Sequence, residues 1–107
     1  MQSLEIVPRL LPEVRSGSKR HTIRWRERSI VPGLMRYVNA EDASDTLSVW
    51  VTKVETMPLD AVANYLGKTT EWPDAVLLQG MREHYPEIQL QSEVEVIHHL
   101  APGDTPP

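Results

Sequence analysis

The chain contains no cysteine in 107 residues. Disulfides, thiolate zinc sites and cysteine nucleophiles are thereby excluded, so its fold must be held by apolar burial and hydrogen bonds. The length suits one domain and is short for two. Hydrophobic residues make up 40% of the chain, enough for one modest core and too many for disorder throughout. Phenylalanine is also missing, so Trp25, Trp50, Trp72 and three tyrosines supply the aromatic bulk. No apolar run approaches the roughly 18 residues of a membrane span. Met1 to Val7 lacks the basic opening and long apolar stretch of a secretory signal. The expectation is a cytoplasmic protein with no membrane partner.

Charge is unevenly spread. The net charge is −4, yet residues 1–39 hold eight Lys/Arg against three acids, and residues 40–107 hold three against twelve. A basic focus on an acidic body suits one polar or anionic ligand in one place. It does not suit broad coating of nucleic acid, which needs an extended positive surface.

Periodicity gives the element order. Leu4 to Val7 favours a strand. Leu10, Leu11 and Val14 predict a short helix over about Pro8–Arg15, stopped at Gly17 by a left-handed cap. Arg20 to Arg26 alternates, with His21, Ile23 and Trp25 on one side and Arg20, Thr22, Arg24 and Arg26 on the other. This predicts a half-buried strand with a strongly polar face. Pro32-Gly33 marks a turn, Leu34–Asn39 a strand, and Glu41–Asp45 an acidic loop. Leu47–Val54 is the clearest strand. Pro58 opens a helix carrying Leu59, Val62, Ala63 and Leu66 and ended by Gly67. A second helix begins around Thr69–Asp74, with Val76, Leu77, Met81 and Tyr85 as its apolar stripe, and Glu93–Leu100 is the last strand. The order β-α-β-β-β-α-α-β favours an α+β barrel over a doubly wound parallel sheet. Residues 1–100 are expected to form one domain and 101–107 a flexible tail.

The stretch Gly17-Ser18-Lys19-Arg20-His21-Thr22-Ile23-Arg24 resembles the Gly-x-Lys-x-x-Thr-Ile-Arg signature of the activating signal cointegrator homology (ASCH) family. Pro32-Gly33, Val51-Thr52, Leu59-Asp60 and Tyr85-Pro86 follow in the family's order, so the resemblance spans roughly residues 4–100. It implies a small barrel like the PUA domain of RNA-modifying proteins. It also implies an activity linked to RNA or nucleosides. In length and order the chain is similar to the branch of small bacterial amidohydrolases that remove the acetyl group from N4-acetylcytidine. That resemblance implies Lys19 as base, Thr22 as nucleophile and a glutamate before the last helix as acid. Aligned without a gap from Asp60 to Tyr85, the glutamate position falls on Thr70, and Glu71 stands one residue along.

The chemistry is coherent. Amide hydrolysis needs a nucleophile, a base and a proton for the leaving amine. A threonine hydroxyl is weak until a base takes its proton, and lysine serves only if burial or nearby positive charge lowers its pKa. Arg20, Arg24 and Arg26 supply such charge. Residues three apart on a regular strand face opposite sides, so Lys19 meets Thr22 only if it lies in the irregular turn after Gly17. Thr22 and Arg24 share a face, which suits Arg24 to a nucleobase carbonyl or an oxyanion.

Each residue has a plainer reading. Without the signature, Lys19 and Thr22 are ordinary surface residues, and Arg24 is one half of an ion pair. Arg26 and Arg28 line a solvated basic edge, Glu71 complements a helix start, and Trp25 is core. Trp72, in a loop, is the better stacking surface. His98 and His99 are adjacent on a strand and face opposite sides, and His21 and His84 have no ligand-spaced partner. No metal and no cofactor are expected. The partner is a modified nucleoside or RNA, and the alternatives to an amidohydrolase are a non-catalytic RNA-binding module or a ribonuclease on the same fold.

Overall fold

The computed structural model describes residues 1–107. Its elements are β1 (Gln2–Ile6), a 3-10 turn (Pro8–Leu10), α1 (Leu11–Ser16), β2 (His21–Arg24), β3 (Gly33–Asn39), β4 (Asp42–Pro58), α2 (Leu59–Tyr65), α3 (Asp74–Arg82) and β5 (Glu93–His99). The class is α+β: one five-stranded mixed sheet in the order β1-β3-β4-β5-β2, with three short helices. β1 runs parallel to β3, with Leu4 opposite Tyr37. β3 runs antiparallel to β4, with Met35 opposite Val49 and Gly33 opposite Val51. Leu4, Ile6, Met35, Tyr37, Val49 and Val51 are all buried, the period-2 signature of a sheet with one covered face. No helix is long and apolar enough to cross a membrane.

The chain folds into two compact units. The first comprises Met1–Thr22, Arg28–Val54 and Ile97–Pro107, and the second Ile23–Glu27 and Glu55–Val96. The first has a core of the six sheet residues just named together with Leu11, Val14, Ile30 and Ile97. Tyr37 is its largest fully buried side chain. The second packs Leu59, Val62 and Ala63 of α2 with Leu77 and Met81 of α3, Ile88, Val94 and Val96.

Helix ends follow the sequence signals. Gly17 caps α1 with φ 82°, and its N–H bonds the Val14 carbonyl at 3.0 Å. Gly67 adopts φ 70° just past α2. Other expectations need correction. The first helix does not run evenly from Pro8. Pro12 has no N–H to return to the Pro8 carbonyl, so Pro8–Leu10 tightens into a 3-10 turn and the α-helix begins at Leu11.

Glu41–Asp45 is not a loop, because the reversal is confined to Ala40-Glu41 and β4 starts at Asp42. The Asn39 side chain accepts the Glu41 N–H at 2.8 Å, an Asx turn that makes the short reversal possible. Val76 is exposed at 53%, whereas Leu78 packs on the second core. At about 100° per residue, the face centred between Leu77 and Met81 lies nearer Leu78.

Candidate functional site

Lys19 sits in the irregular turn between Gly17 and β2. Its backbone N–H bonds the Glu13 carbonyl at 3.0 Å. Its ammonium donates to the His21 carbonyl at 2.7 Å. The side chain is therefore tethered at both ends beside the first residues of β2. Arg20 folds back so that its Nε donates to the Gly17 carbonyl at 2.8 Å. Thr22 is only 4% exposed. The expected polar solvent face of β2 is thus corrected: the strand is covered on both sides, with Ile23 and Trp25 packed on the second core and Thr22 buried.

Close to Lys19 lies a pair that the sequence did not single out. Tyr37 and His99 are both buried, and the Tyr37 hydroxyl and His99 Nε2 are 2.9 Å apart. His99 Nδ1 lies 2.9 Å from the Leu100 carbonyl, which can only accept. The neutral ring therefore carries its proton on Nδ1, and the Tyr37 hydroxyl donates to Nε2. Burial pushes the His99 pKa down. The Leu100 hydrogen bond opposes this, and the positive charges of Lys19, His98 and Arg20 add to it. The first unit thus gathers Lys19, Arg20, Tyr37 and a neutral His99. The available signal was His99's place among the buried residues of β5, but its tyrosine partner is 62 residues away.

The remaining named residues belong to the second unit. The Arg24 side chain is 11% exposed, and its Nη1 lies 3.5 Å from Glu27 Oε1. Glu27 Oε2 accepts the Tyr85 hydroxyl. Burial first, then the Glu27 hydrogen bond and charge, raise the Tyr85 pKa to about 12 against an opposing effect of Arg24. Trp25 meets Tyr85 edge-on at 6.0 Å. The Arg26 guanidinium lies 4.3 Å above the Trp25 ring, and Arg26 itself is exposed.

Glu71 is 61% exposed along its side chain and pairs with Lys68 at 3.5 Å. Trp72 is half-buried against the second core, with the Lys68 ammonium 5.4 Å from its ring centre. Its stacking face is thus already approached by a cation. No three His, Asp or Glu side chains are arranged to hold a metal ion. Every buried side-chain nitrogen and oxygen has a hydrogen-bond partner.

No family model matches the chain, and no curated protein matches it. Among solved structures it is similar to a crystal structure of protein EF3133 from Enterococcus faecalis V583, described by the family model DUF984. The TM-score is 0.62 at 17% identity, covering 92% of this chain and 74% of that one. At that identity the likeness is one of fold.

Proposed function

We propose that this chain is an ASCH-type hydrolase that removes the acyl group from N4-acetylcytidine-type nucleosides, with Lys19 as base and Thr22 as nucleophile. We read its five-stranded sheet as the small PUA-like barrel of that family. The observation that carries the reading is local. A lysine ammonium is tethered in the turn before β2 at 2.7 Å from the His21 carbonyl, and the next residue, Thr22, is withdrawn from water at 4% exposure. Arg20 and His99 stand by Lys19. Lysine acts as a base only where its surroundings disfavour the ammonium.

In the reaction, neutral Lys19 takes the Thr22 hydroxyl proton as Oγ attacks the acyl carbonyl. The C–N bond breaks and the N4 amine leaves with that proton. Water then hydrolyses the acyl ester, releasing the carboxylic acid and restoring Thr22.

The test follows conversion of N4-acetylcytidine to cytidine by absorbance. Lys19→Ala and Thr22→Val are expected to lose turnover by about 10²-fold or more, and Glu71→Gln asks whether this exposed carboxylate supplies the acid. The alternative, an RNA-binding module or ribonuclease, is favoured by the exposed Arg26 stacked on Trp25. No turnover by the parent, with salt-sensitive RNA binding that Arg26→Ala weakens, would replace the amidohydrolase reading.

A further inference from the structure

The last residues of β5 and those just after it are tied to separate parts of the first unit. The His99 N–H donates to the Arg20 carbonyl at 2.9 Å, and the Leu100 N–H donates to the Trp50 carbonyl of β4 at 2.9 Å. Ala101 lies against Gly17, so close that a Cβ on the glycine would stand 3.1 Å from the alanine's own. The His99 ring adds a link to β3 through the Tyr37 hydroxyl at 2.9 Å. The Gly17–Arg20 turn therefore rests on the end of β5, and the imidazole stands at the junction.

The groups around this ring suit its neutral form. Tyr37 faces it from β3 and donates to Nε2, and the Leu100 carbonyl takes the proton on Nδ1. Lys19 and Arg20 act on it from the turn and His98 from β5, and each opposes a positive charge on the ring. A proton on Nε2 would force the phenol to turn its own hydrogen away, and it would set a further cation beside Lys19 and Arg20. The turn is the part that can yield. Tyr37 is fully buried, and Trp50 is paired with Leu34 across β3 and β4. Ser18–Arg20, by contrast, belong to no helix or strand, and Ser18 and Arg20 are exposed. Exposed backbone outside the sheet opens at lower free energy than a buried ladder.

We infer that the Tyr37–His99 pair is a pH-sensitive latch, in which a proton on the buried imidazole frees the Gly17–Arg20 turn, with Lys19, from the end of β5. The latch regulates the Lys19 site proposed above, but it is read on backbone amides and so is tested apart from turnover. Its sign follows from the surroundings of the ring. The fold resists the proton, so the latch is closed above the ordinary histidine value of about 6.5 and opens as pH falls through the lower folded value.

Nuclear magnetic resonance of the full chain between pH 8 and pH 4 tests this. The carbon-bound ring protons of His99 report its charge, and amide exchange, corrected for its intrinsic pH dependence, reports protection. As His99 titrates, its own amide and the Lys19 amide, which bonds the Glu13 carbonyl, should lose protection about tenfold while β3–β4 amides keep theirs. His99→Gln retains an acceptor for the phenol and takes no proton, so there the loss should vanish. Lys19→Met removes one opposing cation, so His99 should titrate at higher pH and loosen the turn less. Unchanged protection through the His99 titration, the same loss in His99→Gln, or a ring that stays neutral until the whole sheet unfolds would each overturn the latch. A latch that opens as expected in a chain that never converts N4-acetylcytidine would remove the reaction and leave the latch standing. Turnover with an unmoved turn would do the reverse.

Discussion

Removing one oxygen atom from Tyr37 should destabilise the protein by well over the cost of an ordinary surface change. Tyr37 and His99 are 0% and 3% exposed. Their rings meet edge-on at 5.4 Å, and Phe at position 37 preserves that packing. What Tyr37→Phe removes is the hydrogen bond to His99 Nε2 at 2.9 Å. The imidazole nitrogen is left as a buried acceptor without its donor, because Nδ1–H is already committed to the Leu100 carbonyl. An orphaned buried acceptor costs roughly 1–3 kcal/mol. Replacing both partners by apolar groups restores part of this loss, so Tyr37→Phe/His99→Leu should fall short of the sum of the single variants by about 1 kcal/mol. Urea unfolding followed by tryptophan fluorescence measures all four proteins. A Tyr37→Phe variant within about 0.5 kcal/mol of the parent, the range of ordinary surface changes, would refute the claim that this pair is a buried, mutually dependent unit.

Three further expectations follow from the geometry. Gly17→Ala should cost about 1–2 kcal/mol for the left-handed backbone alone. A Cβ there would also lie 3.1 Å from that of Ala101, whereas one at Gly67 (φ 70°) meets nothing within 4 Å. Thermal melts should therefore rank Gly17→Ala below Gly67→Ala. Stability should depend on pH through His99: its pKa is lowered in the fold, so below the ordinary value of about 6.5 the unfolded chain takes a proton that the folded chain resists. The His99 contribution is thus full above that value and is lost as pH falls through the folded pKa. Urea midpoints at pH 8 and pH 5 should differ less in His99→Leu than in the parent. Finally, ultraviolet titration of the phenols should include one ionising near 12, and this step should vanish in Tyr85→Phe.

What the sequence made legible was local. Gly17 and Gly67 announce helix ends because their cost and their use are both confined to one residue, and the alternation in Leu47–Val54 locates the middle of β4. The ends of β4 escaped notice because Asp42, Ala43 and Ser44 carry no apolar alternation. The strand there depends on the Asn39 turn and on pairing with β3, where Val38 faces Thr46. The two-sided covering of β2 was also hidden. A run of basic residues reads as a solvent face, yet Thr22 is buried and the Arg24 charge is neutralised by Glu27. Within the first unit Tyr37 meets His99 across 62 residues, and within the second Glu27 meets Tyr85 across 58. No spacing rule links residues so far apart, since only the sheet order β1-β3-β4-β5-β2 and the packing of the second core bring them together. The Lys19–Thr22 spacing, by contrast, is short enough to be read directly, and Lys19 lies between the Gly17 cap and β2.

The central claim is that Thr22 carries the acyl group during the reaction. The most direct measurement is rapid quenching of the protein with N4-acetylcytidine, followed by peptide mass mapping. The account predicts an acetyl ester on Thr22 that forms before cytidine release is complete and is missing in Lys19→Ala. Conversion to cytidine with no acetyl group ever found on Thr22, and undiminished in Thr22→Val, would contradict it.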